Sequence, residues 1–190
     1  ISKSGTNRYA GEVSYQFQTD NMTASLQSGS ASRYEQDRTW LVGSIGGPIL
    51  ANKLFFYGSY YRPENSRENR ANRYGELPPY QRVRNEGFGK VTYTPVSSVL
   101  LNFSYRASER EDTSALFASN ASATTGTGTE AKQRIGIAEG SWVINSRSLL
   151  TFKYNHFVDQ SVGRPDNIAN VNISSSPGTR LDTTSLDTQG

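Results

Sequence analysis

The sequence predicts an all-β chain, an antiparallel meander of about seven strands, and three observations lead there. Apolar and aromatic residues recur at every second position in several runs, the period of a strand with one apolar and one wet side. No run approaches the roughly 20 consecutive apolar residues of a membrane-spanning helix. Connections alternate in length. Short ones at Pro48–Lys53, Pro95–Ser98 and Asn145–Arg147 follow long polar ones at Asp20–Arg38, Arg62–Arg84 and Ser108–Arg134. A soluble sandwich gives no reason for loop length to depend on the end of the sheet. An outer-membrane barrel does, with short periplasmic turns opposite long extracellular loops. The expected architecture is an open, curved portion of a transmembrane β-barrel.

Composition bounds the alternatives. The 190 residues are 34% hydrophobic with a mean hydropathy of −0.64. A barrel strand needs only ~9–11 residues, alternate ones apolar, so low hydropathy is compatible with a polar lumen. The net charge of +3 is spread over interleaved acids and bases, which gives a nucleic-acid partner no support. Without cysteine there is neither a disulfide framework nor a thiolate metal site. The chain opens without Met or signal peptide and closes on a polar tail, so both ends read as cut.

Tyr9 to Thr19 is the first predicted strand, with Tyr9, Gly11, Val13, Tyr15 and Phe17 on one face and Glu12, Ser14, Gln16 and Gln18 on the other. The next two are Trp40–Ile45 and Leu54–Tyr61, a hairpin around Gly46, Gly47, Pro48, Asn52 and Lys53. Both faces of this hairpin are apolar, so the phase of 39–46 and 54–61 stays open. Gly87–Thr94 and Val99–Ala107 follow, then Ile135–Ile144 and Ser148–Phe157. Beyond Asp159 there is no usable periodicity. An arginine facing lipid at mid-membrane costs roughly 2–4 kcal/mol. That cost turns Phe103, Tyr105, Phe152 and Tyr154 outward. Glu12, Gln16, Asn102, Arg106 and Lys153 then become candidate lumen-lining residues. Aromatics near strand ends suggest interfacial girdles, with Trp40, Tyr60, Tyr105 and Phe157 at the outer rim and Trp142 at the inner one.

Ile-Ser-Lys-Ser-Gly-Thr-Asn at 1–7, Tyr-Ala-Gly-Glu-Val-Ser-Tyr-Gln-Phe at 9–17 and Gly46-Gly47-Pro48-Ile49…Lys53-Leu-Phe-Phe-Tyr-Gly-Ser-Tyr60 closely resemble TonB-dependent receptors. The nearest group is the Oar-like transporters, which carry a carboxypeptidase regulatory-like domain ahead of the plug. Ile-Ser replaces the usual Val-Thr before Lys3, and Tyr57 stands for a Phe. The resemblance covers about the first third of the chain; later strands match in style and the loops not at all. It implies that 1–7 is the end of the plug and 8–190 a partial barrel domain of a Gram-negative outer-membrane receptor. The implied role is energised uptake of a scarce, unnamed ligand. Implied partners are outer-membrane lipid or lipopolysaccharide and the TonB complex, reached through plug outside this chain. Two other readings stand beside it: a barrel scaffold for adhesion or surface structure, and a soluble carbohydrate-binding β-sandwich.

No catalytic constellation is present, so the chain reads as no enzyme, without cofactor or metal. His156 is the only histidine and has no Cys or His partner for a transition metal. Glu109, Glu111 and Asp112 lack the spacing and glycine of an EF-hand loop. Arg67, Arg70 and Arg73 in the 62–84 loop are candidate extracellular ligand contacts, although interleaved glutamates also suit an ordinary solvated loop.

Overall fold

The computed structural model describes residues 3–22, 35–117, 122–166, 174–176 and 179–180. Seven strands form one antiparallel sheet in chain order: β1 (Ala10–Gln18), β2 (Gln36–Leu50), β3 (Leu54–Arg67), β4 (Tyr80–Tyr93), β5 (Val99–Leu116), β6 (Thr127–Asn145) and β7 (Ser148–Pro165). A separate small ladder joins β8 (Ser174–Ser176) to β9 (Thr179–Arg180). The large sheet is the open meander that the alternation predicts, with β1 and β7 as its two edges. Turns at 51–53, 94–98 and 146–147 lie at one end, and at the other β3 leads into β4 through 68–79 and β5 ends where β6 begins. Most of the first long connection, 23–34, lies outside the described residues, as do Ile1 and Ser2 of the expected plug link.

The hairpin at 36–67 differs from its expected form. Gly46, Gly47 and Pro48 belong to β2, and the turn shrinks to 51–53 with Asn52 left-handed at φ 61°. Packing explains the glycines. Residues 3–6 lie against Gly46; a Cβ on Gly5 would strike the Phe56 carbonyl oxygen, and one on Gly46 would come within 3.2 Å of Tyr57. On the other face Gly47 makes room for the Tyr9 ring, whose hydroxyl donates to the Pro48 carbonyl at 2.8 Å. Pro48 borders a register shift, the bulge position where a missing N–H costs no ladder bond. Asn7 closes the arrangement by donating to the Asn52 side chain at 2.6 Å and accepting from the Asn52 N–H at 2.8 Å. The early glycines therefore receive an incoming segment; they do not end a strand.

The sheet is a single layer. Among the described residues Tyr80 is the one buried apolar side chain, while Val13, Tyr15, Phe103, Phe152 and Tyr154 all stand more than half exposed. Among the described residues no second sheet packs over either face as the second layer of a sandwich would; residues 3–6 alone lie along one. Direct cross-strand partners share a face, so the register sorts every side chain. Val13 lies opposite Gly43, which faces Tyr60, then Gly87, Ala107 and Arg134 in turn. Glu12 lies opposite Ser44, which faces Ser59, then Phe88 and Arg106. This settles the open phase of the hairpin: Leu41, Ile45, Phe56 and Tyr60 share the Val13 face, and Trp40, Val42, Tyr57 and Tyr61 the Glu12 face.

The Val13 face carries an uncharged band that runs obliquely across the strands. On β1 it reaches Phe17, and the ladder carries Phe17 through Thr39, Glu64, Val83 and Glu111 to Glu130 on β6. On β6 the uncharged run already stops at Gly136, six residues further along, with Arg134 next. Six residues are about 20 Å at a rise of ~3.3 Å, and five strand spacings of ~4.8 Å make about 24 Å. A level band then requires strands tilted by about 40°, within the range of transmembrane barrels.

Candidate functional site

The Glu12 face gathers the candidate lumen residues. Arg106 shares the row of Glu12, while Gln16 lies opposite Trp40. Asn102 lies opposite Glu139, itself opposite Lys153. These groups satisfy one another. The Thr92 hydroxyl donates to Asn102 at 2.8 Å, and the Arg106 guanidinium donates to Glu86 at 2.6 Å. Of the candidate girdle aromatics, Tyr60, Tyr105 and Trp142 stand on the Val13 face, where the Tyr60 hydroxyl donates to Asn85 at 2.7 Å. Trp40 and Phe157 stand on the Glu12 face instead, opposite Gln16 and Ile135. Phe157 is out of phase with Leu150, Phe152 and Tyr154 on β7, and the pairing with Gln16 places Trp40.

The candidate loop arginines are not brought together. Arg67 is the last residue of β3 and packs over the Tyr80 ring, 5.2 Å from its centroid. Arg70 and Arg73 lie in the 68–79 connection, where Asn72 and Gly75 close a small bridge. Gly75 takes φ 113°, and Arg73 stacks on Tyr74 at 4.8 Å. The acidic run at 109–112 is divided by the same parity. Glu109 and Glu111 share the Val13 face, and Asp112 lies on the other, opposite Arg82.

An arginine cluster whose members were expected in loops stands on the long-loop end of the Glu12 face. Arg38, Arg82, Arg84 and Arg110 line a depression of about 340 Å³ together with Trp40 and Tyr61. The buried Asp112 accepts from Arg82 at 2.7 and 3.1 Å and lies 3.5 Å from Arg110. Tyr80 is 8% exposed, with Arg67 and Arg82 over its ring at 5.2 and 5.6 Å. Burial, followed by the Asp112 charge, pushes the Tyr80 phenol above its ordinary pKa, so it stays a neutral platform. The hydrogen bond to Asp112 holds Arg82 more firmly in its charged form. A sequence signal existed: Arg82 and Arg84, like Arg106, Ser108, Arg110 and Asp112, keep the period of two beyond the apolar run. Its significance depends on the cross-strand register.

Beyond the uncharged band, the Val13 face ends in ion pairs. Arg164 reaches Glu111 at 2.8 Å and Glu130 at 2.9 Å, and Lys132 reaches Glu130 at 2.8 Å. The Lys132 hydrogen bond, with Arg164 beside it, lowers the Glu130 pKa.

A family model described as an outer membrane beta barrel domain matches residues 1–69. No curated protein and no solved structure matches the chain. The matched stretch spans β1 to β3, and the ladder passes from β3 to β4 and on to β7 in the same meander. The matched third of the chain supports an outer-membrane β-barrel, in which these strands would be wall.

Proposed function

We propose that this wall belongs to a TonB-dependent receptor of the Oar-like group and serves energised uptake of a solute across the outer membrane of a Gram-negative bacterium. The supporting observation is how the chain enters the sheet. Residues 3–6 seat on the Glu12 face against Gly46 before the chain turns into β1. That face carries Glu12, Lys90, Arg106, Glu139 and Lys153 across the level where the opposite face is uncharged. Charged groups avoid lipid, so the Glu12 face is the lumen side. A chain arriving at the wall from the lumen is what a plug-to-barrel link requires, whereas a scaffold barrel needs no such entry. Residues 3–8, clamped by Asn7 and Asn52, then fix the end of the plug beside a periplasmic turn. TonB pulling on the plug would shift its body while this anchor holds. Lumen-lining Gln16, Asn102, Arg106 and Lys153 would border the path, and the 68–79 loop with Arg70 and Arg73 would meet solutes first.

The sidedness can be tested in the full-length protein. Cysteine replacing Ala71 reacts with an impermeant maleimide on intact cells, and cysteine replacing Ala51 does not; reversed labelling overturns the orientation. Transport is tested separately by deleting TonB, which abolishes uptake. Uptake that continues without TonB favours the scaffold reading.

A further inference from the structure

Arg84 and Arg110 are direct cross-strand partners on the Glu12 face. Like charges in that relation repel, and here the surroundings leave them incompletely matched. The Nε atoms of both are buried and have no hydrogen-bond partner. Their ion-pair carboxylates stand too far for a good hydrogen bond, Glu86 at 3.8 Å from Arg84 and Asp112 at 3.5 Å from Arg110, and Glu64, which also lines the depression, is taken up by Arg62 at 2.6 Å. Both carboxylates are already engaged, Asp112 by the two-pronged contact of Arg82 and Glu86 by Arg106 at 2.6 Å. Arg38 adds a further positive charge to the same depression, donating to the neutral Gln36 at 3.0 Å. Tyr61 lies under the Arg84 guanidinium at 5.4 Å and Trp40 forms part of the wall. The site therefore presents two partly exposed, incompletely neutralised guanidiniums beside flat apolar rings.

We infer that this pocket binds a small free solute that carries a carboxylate or phosphate on a ring, its oxyanion bridging Arg84 and Arg110 and its ring lying against Trp40 and Tyr61. Guanidinium forks match the two oxygens of such a group, and the anion relieves the repulsion between the opposed arginines. A volume of about 340 Å³ suits a compact ring compound. The source is a free solute and not a lipid headgroup, because the pocket opens on the lumen side of the wall. The inference deepens the uptake reading and rests on it for access from outside.

The test is calorimetric titration of the purified full-length protein in detergent with phthalate, which joins a ring to two carboxylates, and with its neutral dimethyl ester. Phthalate binds and the ester does not. Arg84→Gln and Arg110→Gln each weaken phthalate at least tenfold, as loss of a charge-assisted hydrogen bond implies. Lys132→Gln, on the opposite face and outside the pocket, leaves binding unchanged. Arg84→Lys keeps the charge, loses the fork and still weakens binding, which separates recognition from a folding defect. No phthalate binding, equal binding of the ester, or binding indifferent to Arg84 and Arg110 overturns the inference. Titration needs no TonB. Binding by a protein whose uptake ignores TonB would retain the pocket and remove the transport role; the converse would remove the pocket alone.

Discussion

Phe103→Arg and Asn102→Arg place the same charge one residue apart on β5, and the two faces assign them opposite outcomes. Phe103 lies within the uncharged band, between Val91 on β4 and Ala138 on β6, and the residue is 55% exposed. In lipid that exposed half is apolar contact of about 110 Å², or about 2.8 kcal/mol at ~25 cal/mol per Å². An arginine near the bilayer midplane adds roughly 2–4 kcal/mol. Phe103→Arg therefore costs about 5–7 kcal/mol. Asn102 faces Glu139 across the β5–β6 ladder and Thr92 across the β4–β5 ladder. Arginine there gives up the 2.8 Å bond from Thr92, about 1 kcal/mol, and gains a carboxylate neighbour. Its net effect is within about 1 kcal/mol. Urea-titrated folding of the full-length protein into phospholipid vesicles measures both, from the shift in midpoint at constant slope. Equal costs, or a larger cost at Asn102, would refute the assignment of lipid to the Val13 face.

Two further perturbations probe the same sheet. A Cβ on Gly128 would run into the Asp112 backbone carbonyl, whereas one on Gly89 meets nothing within 4 Å; in the same urea titration Gly128→Ala costs about 1–3 kcal/mol and Gly89→Ala under about 0.5 kcal/mol. Asn52 is left-handed and clamped to Asn7. Asn52→Val thus loses about 2 kcal/mol or more, from the backbone strain alone at the low end, while Asn52→Gly loses about 1 kcal/mol, and limited proteolysis near residues 3–8 rises more for Val than for Gly.

The sequence made the meander legible because the bilayer imposes a period of two on strands such as β1, where Val13, Tyr15 and Phe17 alternate with Glu12 and Gln16. It hid the strand ends for the same reason. β3 continues to Arg67, β4 begins at Tyr80, β5 reaches Leu116, β6 starts at Thr127 and β7 ends at Pro165, each well past the apolar run. Outside the hydrocarbon both faces are wet, so the ladder goes on while the hydrophobic pattern stops. Periodicity marked the membrane and not the strand. The arginine cluster was lost with those extensions, since Arg84 and Arg110 meet only through the β4–β5 register. Trp40 and Leu41 could not be phased from β2 alone, because both faces there are apolar; the pairing of Gln16 with Trp40 decides it. Gly46 and Gly47 signalled a turn, and only the seating of residues 3–6 and Tyr9 shows that they serve a close approach.

The central claim is that one face of this sheet meets lipid and the other the lumen. Spin labels at each position from Val99 to Ala107 of β5, in the full-length protein in lipid, test it most directly. Labels at 99, 101, 103, 105 and 107 collide preferentially with dissolved oxygen, and those at 100, 102, 104 and 106 with a water-soluble nickel chelate. Accessibility without a period of two, or with the two sets exchanged, would contradict the account.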